Sequence, residues 1–194
     1  MAPFFGDNIG GLLVFGFCFL VCPIIYYIAT YNRLIRLKNH VTESWSNVDV
    51  VLRRRYDLIP NLVETVKAYA AHEAKLFADI AALREAAMRS VTSGVVKARA
   101  ETAMVNEVNK LLVRIEAYPD LKSSANFLQL QNELVETEDR IAAARRFYNS
   151  NVREYNAAIA SFPSSIIANA GGHVEEEYFE VDDIRVRNPI QVQI

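Results

Sequence analysis

Apolar and polar positions divide this chain into three stretches of different rhythm. From Ile9 to Ala29 the residues are almost continuously apolar, and no charged side chain occurs between Asp7 and Arg33. A run of that length suits a hydrocarbon core of about 30 Å, so it predicts a transmembrane helix over residues 9–30 behind a short external N-terminus, residues 1–8. Beyond it the apolar residues recur at intervals of three and four. Leu34, Leu37, Val41, Trp45, Val48, Leu52, Tyr56 and Ile59 draw one stripe along a helix that has no stop signal between itself and the membrane span. If continuous, that helix would rise roughly 40 Å from the membrane at about 1.5 Å per residue. Asp57, Pro60 and Asn61 interrupt the pattern, because proline lacks the N–H of the helical ladder and fits a first turn; a turn over 57–61 is expected, with a kink as the alternative.

Three further stripes follow. Leu62, Val66, Tyr69, Leu76, Ile80, Leu83 and Ala87 form the second, ending near Ser90. Met104, Val108, Leu111 and Ile115 mark a third helix from about Lys97 to Tyr118, closed by Pro119-Asp120. The fourth is the longest, carrying Phe127, Leu130, Leu134, Thr137, Ile141, Ala144, Tyr148, Val152, Tyr155, Ile159 and Phe162 until Pro163 stops it. Amphipathic helices on short connections predict an all-α fold, in which the single N-terminal transmembrane helix continues into a long antiparallel four-helix bundle over 31–163. Residues 164–194 read differently, as an irregular acidic tail outside the bundle, with Glu175, Glu176, Glu177, Glu180, Asp182 and Asp183 clustered. Its end, Ile184, Val186, Ile190, Val192 and Ile194, alternates as an exposed strand would, with chain-end disorder as the alternative.

Composition narrows the function. Across 194 residues, 21 Lys and Arg face 23 Asp and Glu, a net charge of −2 that lacks the basic surplus needed to bind a phosphate backbone. No nucleic-acid partner is expected. Cys18 and Cys22, the two cysteines, both lie in the apolar run, so neither a disulfide framework nor a cysteine zinc site is predicted. His40, His72 and His173 share no metal-ligand spacing. His72-Glu73 opens like a zincin motif, but Leu76 and Phe77 stand where its second histidine should fall. Phosphate-binding loop, nucleophile elbow and dinucleotide fingerprint are all missing, so no catalytic, cofactor-binding or metal residue and no small-molecule substrate is assigned.

The flanks of the apolar run carry a different message. Tyr26, Tyr27 and Tyr31 lie at its C-terminal edge, where amphipathic rings favour the interface, and Arg33, Arg36 and Lys38 follow. The positive-inside rule then places the body in the cytoplasm and the short N-terminus outside. A cleaved signal peptide fits less well, since a basic n-region is missing and the run is too long. Gly6 and Gly10 have a close-approach spacing, and Cys18 and Cys22 share a helix face, but both are weak signals. Arg53, Arg54 and Arg55 form the densest basic cluster, expected on the surface for solvation, a neighbouring subunit or a second membrane. Trp45, Tyr56, Phe127 and Tyr148 are expected to be core packing, and Arg140, Arg145 and Arg146 solvated surface or inter-subunit contacts.

Several strings together match a known pattern. Tyr31-Asn32-Arg33-Leu34, Trp45-Ser46-Asn47-Val48-Asp49-Val50, Arg54-Arg55-Tyr56-Asp57-Leu58-Ile59-Pro60-Asn61-Leu62-Val63 and Tyr69-Ala70-Ala71-His72-Glu73 closely resemble the LemA family of bacterial membrane proteins. So do Tyr118-Pro119-Asp120-Leu121-Lys122, Ala144-Arg145-Arg146-Phe147-Tyr148-Asn149, Tyr155-Asn156 and Phe162-Pro163. The resemblance covers roughly Tyr31 to Pro163, while Asn169-Ala170-Gly171-Gly172-His173 departs from the family's aromatic ending. It implies an external N-terminus, one transmembrane helix, a cytoplasmic helical bundle and no catalytic residues. Trp45, the Arg53–Arg55 cluster, Tyr56, Asp57, Pro60, Asn61, His72, Glu73, Arg145, Tyr148, Asn149, Tyr155 and Asn156 become the interaction candidates. One branch of the family is associated with building magnetosome membranes, and other members occur beside membrane peptidases. The expected function is a non-enzymatic homo-oligomer that organises, stabilises or remodels the bilayer; an adaptor for a membrane peptidase or another integral membrane protein is the alternative.

Overall fold

The computed structural model describes residues 6–90 and 94–180, with side chains from Phe17 onward except Cys18 and Ala71. Among these residues every regular element is a helix: α1 (Gly6–Lys67), a 3₁₀ turn (Ala71–Glu73), α2 (Ala74–Arg89), α3 (Val95–Ile115), α4 (Pro119–Lys122), α5 (Ala125–Ala160) and α6 (Ser164–Ala170). The all-α expectation holds. No helix among the described residues is long and apolar enough to cross a membrane. The first part of the apolar run, with Gly10 and Cys18, lies outside the described side chains, and the strand expected over 184–194 lies outside the described residues.

Two compact units divide the chain, Met1–Val41 with Arg153–Glu176 and Thr42–Val152 with Glu177–Ile194. In the first, Leu34, Leu37 and Val41 of α1, Tyr155 and Ile159 of α5 and Ile167 and Ala168 of α6 are buried. In the second the core draws on all the longer helices: Val48, Leu52, Ile59, Leu62 and Val66 of α1, Phe77, Ile80 and Ala87 of α2, Met104, Leu111 and Ile115 of α3, and Phe127, Leu134, Ile141, Tyr148 and Val152 of α5. These are largely the positions that the three-four spacing selects, which is why the stripes become packed faces. Phe162 is an exception, 82% exposed beyond the end of α5.

The turn expected over 57–61 does not form, because α1 continues through Pro60 to Lys67. Proline deprives the carbonyl of Tyr56, four residues back, of its ladder donor. Arg84 of α2 replaces it, its Nε–H donating to the Tyr56 carbonyl oxygen at 2.6 Å. The chain breaks instead at Ala68–Ala70, where the N–H groups of Tyr69 and Ala70 both return to the Val66 carbonyl. Residues 62–67 of the second predicted helix therefore belong to α1, and α2 begins at Ala74.

The start of the predicted tail is also ordered. After a cis Phe162-Pro163 bond, α6 forms, and at its end Gly172 adopts φ +68°, a left-handed conformation that lets the His173 N–H reach the Ala168 carbonyl. Val174–Glu180 then has no regular secondary structure, yet Phe179 is 1% exposed in the second unit.

Candidate functional site

Two groupings of polar side chains stand out, both built on faces the apolar pattern had already oriented. The first lies in the second unit, around Arg55 and Tyr56 of α1. Arg55 was expected on the surface and is instead buried, and the spacing explains it: Arg55 falls three residues after Leu52 and four before Ile59, inside the core stripe. Arg53 and Arg54 are exposed, Arg53 pairing with Asp49 at 2.9 Å.

A buried guanidinium needs carboxylates at hand. Arg55 Nη1 donates to both carboxylate oxygens of Glu138 on α5, at 2.8 and 3.1 Å, and Nη2 donates to Glu101 on α3. The Tyr56 hydroxyl donates to the other Glu101 oxygen. Burial, then the bond to Glu101, pushes the Tyr56 phenol well above its ordinary range. Lys97 completes the set: its Nζ donates to the carbonyls of Ala87 and Ser90 at 2.8 and 3.0 Å, closing the end of α2, and lies 3.9 Å from Glu101. Burial lowers the Lys97 pKa against the pull of Glu101. Arg145 of α5 stands over the ring of Phe179, 5.1 Å from its centroid; burial, followed by the charge of Arg55, lowers its pKa. It is half-buried rather than the solvated surface residue expected.

The second grouping holds the segment after α6. In the second unit, Asn149 accepts from the Phe179 N–H at 2.9 Å and donates to its carbonyl at 3.3 Å, while the Tyr148 hydroxyl donates to the Glu177 carbonyl at 2.9 Å. Trp45 meets the rings of Tyr148 and Phe179 edge-on, at 5.3 and 5.6 Å. In the first unit Asn156 repeats the arrangement, accepting from the Glu176 N–H at 3.0 Å and donating to its carbonyl at 2.9 Å. Lys38 pairs with the Glu176 carboxylate and lies 5.5 Å above the Tyr155 ring, whose hydroxyl bonds His173 Nδ1 at 3.0 Å. Both asparagines use each amide twice, as donor and as acceptor, on the backbone of a single residue.

Of the other candidates, Tyr26, Tyr27, Tyr31, Arg33 and Arg36 are exposed on α1, with Tyr27 stacked on Tyr31 at 6.3 Å. Asp57, Pro60, Asn61 and His72 are exposed, and Glu73 pairs with Arg114 at 2.8 Å. Glu101, Arg84 and Phe179 act through partners distant in the chain, which the local pattern does not reveal. Among the described residues no group of three or more His, Cys, Asp or Glu side chains could hold a metal ion.

A model of the LemA family matches residues 44–194. The chain is 26% identical over 189 residues to magnetosome protein MamQ 2 of Paramagnetospirillum magneticum, an alignment covering 82% of this chain and 70% of that protein. It is 25% identical over 185 residues to magnetosome protein MamQ of Magnetospirillum gryphiswaldense, covering 82% and 68%. With protein LemA of Metamycoplasma hominis it shares 25% identity over 154 residues, covering 78% and 70%.

Proposed function

This chain belongs to the LemA family, and from that premise we propose that it is a non-enzymatic membrane-anchored structural protein, inserted through the first part of α1 and assembling with further copies to organise the bilayer. The observation that carries the reading is the uncovered apolar surface of α1. Phe17 and Phe19 are 68% and 80% exposed, and Cys22 to Ala29 are exposed without a break, on every side of the helix. Water does not tolerate a band of that kind, and each Leu, Ile or Phe moved into lipid gains about 1.5–3 kcal/mol. Tyr26, Tyr27 and Tyr31, then Arg33 and Arg36, follow in the order that interfacial rings and cytoplasmic cations take. That order supports a single-pass arrangement in a bacterial inner membrane with the N-terminus outside. The likeness to magnetosome proteins accords with a role in shaping membranes, and Ala142, Ala143 and Phe147, exposed on α5, offer a close-packing face to another copy.

Native mass spectrometry and negative-stain imaging of the full chain in lipid nanodiscs test this reading. A discrete ring or cage of many subunits is expected. A monomer or dimer that enlarges only when an integral membrane protein is added would favour the adaptor, and recovery in the supernatant after alkaline washing of membranes would remove the anchor.

A further inference from the structure

The charged cluster of the second unit borders a cavity of about 420 Å³, a size suited to a small organic ligand. Its lining combines apolar Leu52, Val105, Ile141 and Phe179 with charged Arg55, Arg145, Glu101 and Glu138. The two carboxylates are already engaged. Glu138 receives Arg55 Nη1 through both oxygens, and Glu101 receives Arg55 Nη2 on one oxygen and the Tyr56 hydroxyl on the other. The donors are not exhausted in the same way. Arg55, whose side chain is 5% exposed, keeps a buried Nε–H without a hydrogen bond among the described residues, and so does Arg145. Arg145 stands over the Phe179 ring and makes no ion pair with a carboxylate among the described residues; Glu138 and Glu180 act on it only through their charge. A buried guanidinium N–H left unbonded is costly, and a planar oxyanion is the group whose geometry satisfies it.

From this arrangement we propose that the cavity is a binding site for a small monocarboxylate with an apolar body, its carboxylate held by Arg145 and Arg55 and its body against Leu52, Val105, Ile141 and Phe179. The site is independent of membrane anchoring and of assembly. One negative charge matches Arg145, the lining cation that lacks an ion-paired carboxylate among the described residues, and the apolar lining distinguishes such an acid from inorganic phosphate.

The molecule contains its own reporter, because its one tryptophan, Trp45, meets Phe179 edge-on at 5.6 Å. The full chain in detergent is titrated with cyclohexanecarboxylate at constant ionic strength while Trp45 emission is followed, with cyclohexanecarboxamide and phosphate in parallel. The acid is expected to give a saturable change with a dissociation constant of about 1 mM or tighter. Arg145→Gln is expected to weaken binding about tenfold or more, with Arg145→Lys intermediate because the charge remains and the fork is lost. Helical circular dichroism of both variants verifies that they fold. No saturable response, an equal response to the amide, or unchanged affinity in Arg145→Gln would overturn the site. Phosphate binding as tightly as the acid would overturn its assignment to an acid with an apolar body.

Discussion

Pro60 removes one N–H from the ladder of α1, and Arg84 supplies the missing donor from a different helix. Arg84→Met leaves the Tyr56 carbonyl unpaired and is expected to cost about 1–3 kcal/mol, the usual penalty for an orphaned buried group. Pro60→Ala supplies the ladder N–H that proline lacks, so Arg84→Met should cost distinctly less in that background, and urea unfolding of the four proteins measures the coupling. Equal costs in both backgrounds would mean that Arg84 acts by packing alone. Tyr56 itself ties stability to alkaline pH. Its folded pKa lies above the unfolded value of 10.0, so its contribution is complete below pH 10 and is lost as pH climbs from there toward the folded value. The unfolded phenol ionises first, which removes about 1.4 kcal/mol for each pH unit above 10. The stability advantage of the native chain over Tyr56→Phe should therefore shrink between pH 9 and pH 11 in urea melts, and an unchanged difference would contradict the burial of that hydroxyl.

Elements show where the chain's pattern speaks and where it falls silent. The stripes of α3 and α5 became buried faces because a period of 3.6 is a statement about one helix surface, and Met104, Leu111, Ile141 and Val152 obey it. Pro60 misled because its effect depends on whether another element repairs the ladder, and Arg84 lies 24 residues further along. The actual break at Ala68–Ala70 carries neither glycine nor proline, so no local signal marked it. Arg55 is legible in principle, since it sits on the Leu52–Ile59 stripe, whereas Arg53 and Arg54 of the same run fall off it. The docking of Val174–Glu180 joins residues 20 to 30 positions apart, beyond the reach of periodicity, although Asn149 and Asn156 stand seven residues apart on α5. Asn149→Ala or Phe179→Ala should loosen this segment, the latter at about 3–5 kcal/mol for a truncated buried aromatic. Digestion with a glutamate-specific protease should then cut at Glu175–Glu177 faster than in the native chain, and Trp45 emission should move to the red. Equal cutting rates would show that the segment is not held by these side chains.

For the molecule as a whole, the uncovered α1 surface sets the decisive prediction. Leu20→Arg with Ile24→Arg places two charges in the apolar run, each costing about 2.5–3.5 kcal/mol near the centre of a spanning helix. The double variant should leave the alkali-washed membrane fraction while the native chain stays, and retention of both would show attachment by another route. The Arg84 bond also bears on how the chain is made. Residues 61–67 emerge from a ribosome before Arg84 does, so the continuation of α1 beyond Pro60 is synthesised before the side chain that completes it. The closing turns of the first helix thus await the second, and the order in which the chain is written differs from the order in which its backbone is finished.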